Sequence, residues 1–372
     1  MLKIGITGQQ GFVGTHLYNT LGLHPEEFER IDFQRNFFGN EALLDDFVSQ
    51  CDVIVHLAAM NRHDDPEVIY ATNVGLVTAL IASLERTGSK AHIIMSSSSQ
   101  EERDNLYGKS KKEGRELFVQ WANKANTIFT GMIIPNVFGP FSHPYYNSVV
   151  ATFSHQIANG ETPQIQVDGD LKLIYIGELV AEILNKIKAR QNEQIYLVPH
   201  TSEAKVSELL ILLQNYKTGY QDKGEIPAIK NTFELNLFNT FRCYMDIANH
   251  FPVKFVEHTD PRGSFVEVIR LGIGGQVSFS TTVPGITRGN HYHTRKIERF
   301  AVIKGKALIQ LRRIGTDEVL DFYLDGNEPA YVDMPIWYTH NIKNIGDEVL
   351  YTNFWINEFY NPNDPDTYFE NV

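Results

Sequence analysis

The sequence predicts an α/β doubly wound N-terminal domain followed by an all-β C-terminal domain. Up to about residue 216, short apolar runs alternate with helical periodicity, which is typical of a parallel sheet with helices on both faces. After residue 251, short apolar runs are separated by regularly spaced glycine turns, which indicates a sandwich or barrel. We therefore place a domain boundary near residue 250, between domains spanning residues 1–250 and 251–372.

Composition and charge limit the classes of function. The 372 residues suffice for two hydrophobic cores, and a hydrophobic content of 42% is typical of globular protein. A net charge of −12 argues against nucleic acid or an anionic membrane as the partner of the whole surface. Two isolated cysteines, no apolar run of about 18 residues and no leader-like N-terminus predict a soluble cytoplasmic protein without membrane insertion.

Three glycines near the N-terminus predict a dinucleotide site. Lys3–Thr7 is an apolar run, and Gly8, Gly11 and Gly14 separate it from a predicted helix over residues 15–23. In a strand, glycine turn and helix, the glycines allow close approach of a pyrophosphate, which lies at the positive end of the helix. The alternative is a glycine-rich turn that binds no ligand.

Two charged residues leave the identity of the dinucleotide open. The second strand is predicted to end at Asp32, and a carboxylate there would bind the ribose 2′-hydroxyl of NAD. Arg35 follows closely and would accommodate the 2′-phosphate of NADP. Either residue could instead be a solvated surface charge.

Tyr107 and Lys111 form a candidate proton-transfer pair. Residues four apart on a helix project from one face, and a nearby ammonium is expected to lower the pKa of a phenol. Such a phenol can exchange a proton with a substrate hydroxyl or carbonyl. Taken alone, the spacing is also typical of a solvated pair on a helix surface.

The ordered motifs of residues 1–245 resemble the extended short-chain dehydrogenase/reductase family, which implies a Rossmann-like fold. The resemblance rests on the glycine spacing, on Asp52–Ala59, on Ile93–Ser99 and on Pro135–Gly139. It implies that Ser98, with Ser97 as the fallback, orients a substrate carbonyl beside Tyr107 and Lys111, and that Asn136 lies close to the substrate. It also implies a set of cofactor contacts, namely Gly8, Gly11, Phe12, Gly14, Asp32, Arg35, Leu57, Ala58, Ala59, Asn73, Tyr107 and Lys111.

Four residues of the second domain predict a metal site. His291 and His293 alternate on one predicted strand, Glu298 lies on the next, and His340 precedes another. Three imidazoles and a carboxylate suit zinc or another first-row divalent ion, whereas any single histidine is more often a core or surface residue. The spacing of these residues resembles the cupin barrel motifs, although Trp337 stands where the second motif usually has glycine.

A second signature resembles the cupin 3,5-epimerases of keto-deoxy sugars. It comprises Asp260–Glu267 and Arg288–Tyr292. Arg262 and Arg288 are candidates for substrate phosphates, because a guanidinium matches phosphate geometry, and Glu267 is a further substrate candidate. For each arginine, a surface ion pair is about equally consistent. The family's base corresponds to His291, which also fits as a metal ligand, so Tyr292 and Tyr338 become alternative proton carriers.

The whole chain resembles the bifunctional capsular-polysaccharide enzymes of the UDP-N-acetyl-L-fucosamine pathway. Tyr145–Phe153 and Asn361–Phe369 extend this resemblance beyond the two domain signatures. It implies that the cupin domain epimerises carbon 3 of a UDP-2-acetamido-2,6-dideoxy-4-hexulose. The other domain would then reduce the 4-ketone with NADPH, which gives UDP-2-acetamido-2,6-dideoxy-β-L-talose. It also implies zinc and a homodimer.

Two other functions compete with this interpretation. One is an NAD-dependent nucleotide-sugar epimerase or dehydratase, although Ser99-Gln100 stands where a dehydratase would have an Asp-Glu pair. The other is a non-catalytic dinucleotide sensor joined to a ligand-binding cupin. The presence of Ser98, Tyr107 and Lys111 argues against a sensor, which has no need of a proton donor.

Overall fold

The computed structural model describes residues 1–261 and 263–372. By its internal contacts the chain divides into two compact units, the first comprising residues 1–149 and 167–206 and the second residues 150–166 and 207–372. The second unit therefore includes residues 207–250, which the sequence assigns to the first domain. The assignment of separate functional domains to residues 1–250 and 251–372 stays a prediction.

Strands and helices alternate through the first 250 residues. In chain order they are β1 (Leu2–Thr7), α1 (Phe12–Leu21), β2 (Phe28–Ile31), α2 (Glu41–Gln50), β3 (Val53–His56), α3 (Pro66–Thr87), β4 (His92–Ser98), α4 (Leu106–Ala125), β5 (Phe129–Ile134), β6 (Asn136–Phe138), α5 (Val149–Ala158), β7 (Asp170–Tyr175), α6 (Ile176–Ala189), β8 (Glu193–Leu197), β9 (Ser202–Lys205), α7 (Val206–Asn215), β10 (Glu225–Ile226), α8 (Thr232–Arg242) and α9 (Ile247–His250). Short 3-10 helices cover Arg35–Gly39 and Ser99–Glu102, and a π-helix covers Tyr216–Gln221.

The first unit contains a parallel sheet with the strand order β2-β1-β3-β4-β5-β8. Side chains alternate between its faces, because successive strand residues point in opposite directions. Val53 and Val55 pack with α1 and α6, whereas Ile54 packs with α2, α3 and α4. The predicted doubly wound, Rossmann-like fold is confirmed. The strand order reverses between β1 and β3, the point at which such sheets bind ligands.

Helix α3 is long and apolar enough to span a membrane by length and composition alone, and one third of that apolar window is buried. In the structure it packs against α2 and α4. Its buried residues include Ile69, Val77, Leu80 and Leu84, and three of these belong to the core of the first unit. The helix therefore has a role in the core that accounts for its apolar composition.

Short antiparallel strands dominate the chain after residue 250. They are β11 (Val253–Lys254), β12 (Glu257–Asp260), β13 (Gly263–Val266), β14 (Arg270–Leu271), β15 (Gln276–Thr282), β16 (Thr287–Tyr292), β17 (Glu298–Lys304), β18 (Lys306–Arg313), β19 (Val319–Asp325), β20 (Ala330–Met334), β21 (Tyr338–Asn344), β22 (Leu350–Ile356) and β23 (Tyr368–Phe369). The larger sheets have the orders β11-β20-β17-β22-β15 and β19-β18-β21-β16-β23. Both are antiparallel, which confirms the predicted all-β fold.

The segment before residue 250 packs within the second unit through buried polar groups. Asn239 on α8 donates a hydrogen bond to the carbonyl oxygen of Arg295, and Arg242 donates to the carbonyl oxygen of Met334. The hydroxyl of Tyr220 donates to the buried carboxylate of Asp333. The same segment contains the π-helix and, after it, β10.

Candidate functional site

A cavity of about 700 Å³ opens at the carboxyl ends of β1, β3 and β4 in the first unit. Most of the residues predicted for the dinucleotide and for catalysis line it. They are Gly8, Gly11, Phe12, Gly14, Arg35, Leu57, Ala58, Ala59, Ser98, Tyr107, Lys111 and Asn136. The predicted cofactor and catalytic positions, distant in sequence, therefore face one space.

The glycine turn leads into the N-terminus of α1, where backbone N–H groups are exposed to the cavity. Gly8 has φ of +77°, and a Cβ atom there would lie 2.8 Å from the backbone nitrogen of Ala58. Only glycine fits this conformation and this close approach. Gly11 caps α1 without a side-chain hydrogen bond, so the first N–H groups of the helix have no cap. Such a helix start can hold a phosphate.

Asp32 and Arg35 have different surroundings. The Asp32 carboxylate accepts a hydrogen bond of 3.2 Å from Nε2 of Gln9. Gln9 also accepts a hydrogen bond from the backbone of Phe33 through its own side-chain oxygen. Arg35 begins the 3-10 helix after β2, is exposed, and lines the cavity together with the glycine turn. Of these two candidates for cofactor recognition, Arg35 is therefore the one that faces the cavity.

Tyr107 lies beside Ser98 but does not have the predicted pKa. Burial raises the pKa of Tyr107 to about 12, and Tyr146 adds to this rise, while a hydrogen bond with the Ser98 side chain opposes it. The expected lowering of this pKa by Lys111 is not found, because desolvation of the phenol dominates. Tyr107 is therefore protonated at neutral pH, as a proton donor must be.

The start of α4 sets the position of Tyr107. Asn105 caps the helix by accepting a hydrogen bond of 2.7 Å from the backbone nitrogen of Gly108. A Cβ atom on Gly108 would lie 2.0 Å from the carbonyl oxygen of Gln100. The helix thus packs directly on the turn that follows β4, and this contact brings Tyr107 next to Ser98 at the end of that strand.

Lys111 lies one turn after Tyr107 and is almost completely buried, at 3% exposure. Burial lowers the pKa of its ammonium from 10.5 to about 8, and the negative charge of Glu101 acts in the opposite direction. A site that pairs a protonated phenol with a buried ammonium can donate hydrogen bonds and positive charge to a carbonyl oxygen.

The fallback residue Ser97 has another partner. Its hydroxyl donates to the carboxylate of Glu101, which forms a bidentate ion pair with Arg115 on α4, at 3.0 and 2.7 Å. The Ser98 hydroxyl instead accepts a hydrogen bond from the backbone nitrogen of Gln100. The geometry favours Ser98 over Ser97 as the residue that contacts a substrate. Glu101 and Arg115 were not among the predicted site residues, and their signal in the sequence is a pair of opposite charges that flank Tyr107.

Asn73 and Asn136 are both predicted site residues, but they make different kinds of contact. Asn73 is buried, and its amide bonds to both backbone groups of Met60 and to the hydroxyl of Ser110. It therefore holds the turn after β3 against α4. Asn136 lines the cavity, and its side chain donates to the carbonyl oxygen of Lys172.

Tyr146 lines the cavity although it was not among the predicted site residues. It lines the cavity near both Arg35 and Tyr107, and its hydroxyl accepts a hydrogen bond of 3.2 Å from the backbone nitrogen of Asn61. The preceding residue, Tyr145, has φ of +58°. A nonglycine residue in this region signals local strain, which often occurs at functional sites.

The second unit brings the four predicted metal ligands together. A ligand atom from each of His291, His293, Glu298 and His340 lies within 4.8 Å of the others. His291 and His340 are direct partners on β16 and β21, next to a bulge at Gly289. His340 lies within β21, so the prediction that it precedes a strand was wrong. His293 follows the end of β16.

The hydrogen bonds of two imidazoles test whether a metal fits. Nδ1 of His293 bonds to the carbonyl oxygen of Asp366, and Nδ1 of His340 to that of Tyr338. A carbonyl oxygen only accepts, so Nδ1 carries a proton in each ring, and in the neutral ring Nε2 carries a lone pair. Both Nε2 atoms lie 3.1–3.2 Å from Oε2 of Glu298, and that of His340 is buried without a hydrogen bond. Ligands about 2.1 Å from a tetrahedral ion lie about 3.4 Å apart, so these converging acceptors fit a divalent cation.

The electrostatics of the cluster also favour a cation. Burial, together with a smaller effect of the other two histidines, lowers the pKa of His291 to about 4, so this imidazole is neutral at pH 7. Burial disfavours ionisation of Glu298, but the charge interactions with the adjacent His293 and His340 hold its pKa well below the usual range. For His293, the effects of Glu298 and Asp366 exceed that of burial and raise the pKa. The cluster thus combines an ionised carboxylate with imidazole ligands.

Asp366 and Trp337 are not members of the cluster, but they form hydrogen bonds with the backbone at and after His293. The Asp366 carboxylate accepts hydrogen bonds from the backbone nitrogens of Thr294, Arg295 and Lys296. Trp337 has φ of +61°, so the position at which glycine is usual keeps a glycine-like backbone, and its nitrogen donates to the carbonyl oxygen of His293. No local pattern marks Asp366 beyond its place in a run of Asp, Asn and Pro.

The predicted substrate contacts of the second unit are the charged residues Arg262, Arg288 and Glu267. Arg262 lies outside the described residues. Arg288 is exposed, and its guanidinium donates to the hydroxyl of Thr282 and to the carbonyl oxygen of Thr281. Glu267 is exposed and pairs with Arg270 at 3.1 Å. Within the described part of the chain, neither Arg288 nor Glu267 is hydrogen-bonded to a member of the histidine cluster.

Comparisons with known proteins match the two halves separately. Residues 4–198 match the NAD dependent epimerase/dehydratase family, and residues 258–368 match the polysaccharide biosynthesis C-terminal domain. The solved structure of RMD from Pseudomonas aeruginosa complexed with NADPH is 20% identical, with a TM-score of 0.53, and covers 59% of this chain and 83% of that chain. At this identity the likeness indicates the fold alone.

Two relatives match the chain over its full length, which confirms the predicted resemblance. A UDP-2-acetamido-2,6-beta-L-arabino-hexul-4-ose reductase of Pseudomonas aeruginosa is 31% identical, over 99% of this chain and 98% of the relative. The crystal structure of the capsular polysaccharide assembling protein CapF of Staphylococcus aureus is 35% identical, with a TM-score of 0.64, and both chains are covered completely. The chain therefore belongs to the NAD dependent epimerase/dehydratase family, with a polysaccharide biosynthesis domain at its C-terminal end.

Proposed function

We propose that the protein is a bifunctional nucleotide-sugar enzyme that supplies a precursor for capsular or O-antigen polysaccharide. Its substrate is a UDP-2-acetamido-2,6-dideoxy-4-hexulose. The histidine cluster serves epimerisation at carbon 3, and the Tyr107 site reduces the 4-ketone to give UDP-2-acetamido-2,6-dideoxy-β-L-talose. The observation that carries the proposal is the presence of two complete candidate sites, a Ser98, Tyr107 and Lys111 set in one unit and a four-ligand cluster in the other. The full-length match to a hexulose reductase supports the substrate class.

The reductase step follows from the groups that face the cavity. Ser98 and Tyr107 donate hydrogen bonds to the carbonyl oxygen at carbon 4, and Tyr107 transfers its proton to that oxygen as negative charge develops. Lys111 stabilises the phenolate that remains. A bound nicotinamide would supply the hydride. The high pKa of Tyr107 keeps the proton in place until the carbonyl oxygen becomes basic.

The cofactor is proposed to be NADP(H). Arg35 lines the cavity beside the glycine turn, where a guanidinium can bind the ribose 2′-phosphate. Asp32 would repel that phosphate, but its carboxylate is engaged by Gln9. The N-terminus of α1 would hold the pyrophosphate, with close approach permitted at Gly8.

The epimerisation must precede the reduction. A ketone at carbon 4 acidifies the proton on carbon 3, and this activation disappears once the ketone is reduced. His291, His293, Glu298 and His340 would hold zinc or another first-row divalent ion, which as a Lewis acid would lower the energy of an enediolate. Tyr292 and Tyr338 are the candidate proton carriers. Arg262 and Arg288 are proposed to bind substrate phosphates, with Glu267 as a further substrate contact.

The remaining expectations belong to the same proposal. We propose a cytoplasmic homodimer that acts on a soluble nucleotide sugar, with no nucleic-acid partner and no membrane insertion. The acidic net charge of −12 supports the absence of a nucleic-acid partner, and the packing of α3 within the first unit supports the absence of membrane insertion.

The competing functions differ in how the dinucleotide behaves. An NAD-dependent epimerase or dehydratase retains its cofactor and regenerates it in each cycle. A sensor binds the dinucleotide without turnover. A reductase consumes added NADPH in proportion to substrate.

A single incubation tests the proposal. The protein is mixed with the UDP-linked 4-keto-6-deoxy-N-acetylhexosamine and NADPH in deuterated water, and the products are examined by NMR. We expect deuterium at carbon 3, unlabelled hydrogen at carbon 4 and stoichiometric loss of NADPH. Deuterium without NADPH oxidation would exclude the reductase, and oxidation without deuterium at carbon 3 would exclude the epimerase.

A further inference from the structure

Glu101 has a buried carboxylate to which the proposed reaction assigns no role. It is 9% exposed and lies in the 3-10 helix that follows Ser98. Four hydrogen bonds fix its position. Oε1 accepts from the hydroxyl of Ser97 and from Nε of Arg115, and Oε2 accepts from Nε and Nη2 of Arg115. The carboxylate therefore joins the end of β4 to α4.

The same helix carries Lys111 one turn before Arg115, and its ammonium is buried more deeply than either member of this ion pair. The titratable groups around Lys111 are His56 on β3, Tyr107 on α4 and Glu101. Burial lowers the pKa of His56 to about 3, so it is neutral. Tyr107 is also neutral at pH 7 because burial raises its pKa. The packed face of α3 contributes the uncharged amide of Asn73, which bonds to Ser110.

We propose that Glu101, held by Ser97 and Arg115, is a positioning residue of the reductase site that provides the counter-charge for the Lys111 ammonium. A buried ammonium requires such compensation to stay charged. The role of Glu101 in turnover rests on the proposed reductase function, whereas its charge interaction with Lys111 does not.

The arrangement also explains why an arginine is present. A carboxylate that formed a direct ion pair with Lys111 would occupy its hydrogen-bonding protons and compete with the ribose and the phenol. Here the hydrogen bonds of Glu101 go to Arg115 and Ser97, so its charge acts on Lys111 without taking those protons. Consistent with this, the Glu101 charge opposes the effect of burial on the pKa of Lys111.

The test measures the protonation of Lys111 directly. The full-length protein is labelled with 13C-lysine, and the Lys111 signal is assigned by its loss in Lys111→Met. We expect Glu101→Gln, which keeps the shape and the Ser97 contact, to lower the Lys111 titration midpoint by about one pH unit. Arg115→Met retains the carboxylate and should leave the midpoint at or above the wild-type value. A purely structural role for the pair would move both midpoints in the same direction.

A second variant covers the case in which a lone buried charge prevents folding. Glu101→Gln combined with Arg115→Met leaves no unpaired charge, and its Lys111 midpoint should still fall. An unchanged midpoint in Glu101→Gln, or in the double variant, would overturn the proposal. The pH profile of NADPH oxidation should move with the NMR midpoint. If the wild-type protein oxidises no NADPH, the reductase function fails, while the titration still decides whether Glu101 is the counter-charge.

Discussion

The backbone carbonyl oxygen of Asp366 accepts a hydrogen bond from Nδ1 of His293, a residue 73 positions earlier in the chain. This bond fixes the imidazole tautomer, so that Nε2 faces Glu298 and His340. The Asp366 carboxylate meanwhile accepts four hydrogen bonds from Thr294, Arg295 and Lys296. The C-terminal segment therefore orients His293, one of the candidate metal ligands.

Removal of the Asp366 side chain should weaken metal binding without removing a ligand. In Asp366→Ala the turn after His293 loses its hydrogen-bond acceptor, and we expect zinc affinity to fall by about 10–100-fold. Affinity is measured by competition with a chelator. Asp364→Ala is the control, because this nearby carboxylate is largely exposed and pairs with Arg295. Equal affinities of the Asp366 variant and wild type would contradict the role of this support.

His340→Ala should reduce the metal content of the purified protein and slow deuterium exchange at carbon 3. The variant removes a ligand whose Nε2 is buried without a hydrogen bond, and this leaves at most three of the four proposed ligands. Metal is measured by elemental mass spectrometry. His258→Ala, at an exposed position of the same unit, should retain full occupancy. Full occupancy in His340→Ala would remove this residue from the ligand set.

Tyr107→Phe should reduce NADPH oxidation by at least about 100-fold, because no other group would deliver the proton to the carbonyl oxygen. Exchange at carbon 3 should continue, since it is assigned to the other unit. The control is Tyr70→Phe, which removes a phenol of α3 that bonds to Glu113. Simultaneous loss of both activities in Tyr107→Phe would speak against separate sites.

Arg35→Ala should decrease kcat/KM for NADPH by about 10–100-fold, the usual effect of losing a charged hydrogen bond to a phosphate. The value for NADH should change little, because NADH has no 2′-phosphate. Arg30→Ala provides the matched control, since this β2 arginine stacks on Tyr18 and donates to its carbonyl oxygen. A parallel loss with both dinucleotides would contradict recognition of the 2′-phosphate by Arg35.

Lys111→Met should inactivate the reductase yet stabilise the fold at neutral pH. Burial lowers the pKa of Lys111 from 10.5 to about 8, which means that the folded state holds the proton less tightly than the unfolded state. The folded protein is therefore penalised below pH 8, by about 3 kcal/mol at most, and the penalty diminishes as pH rises from 8 towards 10.5.

The free energy of unfolding, measured at pH 7 and pH 9.5, tests this sign. The gain in Lys111→Met should be larger at pH 7 than at pH 9.5. Lys109→Met on the same helix is the control, because Lys109 is more than half exposed and pairs with Asp104. If Lys111→Met lowered the free energy of unfolding at pH 7, the buried charge of Lys111 would not be destabilising.

The local patterns were sufficient to predict both fold classes and most of the residues that converge. The glycine turn, the Tyr107–Lys111 spacing and the histidine positions are short-range features, and strand and helix periodicity determines which face their side chains occupy. Tertiary structure was needed for everything that depends on distant partners. The pKa of Tyr107 follows from desolvation, which no spacing of residues reveals.

The sequence by itself determined the identity of the candidate ligands and proton donors, because their chemistry lies in the residue types and their spacing. Only the tertiary structure decided which groups support them. Glu101, in the 3-10 helix after β4, pairs with Arg115 on α4. The carbonyl oxygen of Asp366 bonds to His293, which lies 73 residues earlier in the chain. Such contacts join segments whose separation in the chain carries no periodic signal, so they exist only once the packing of the core has brought those segments together.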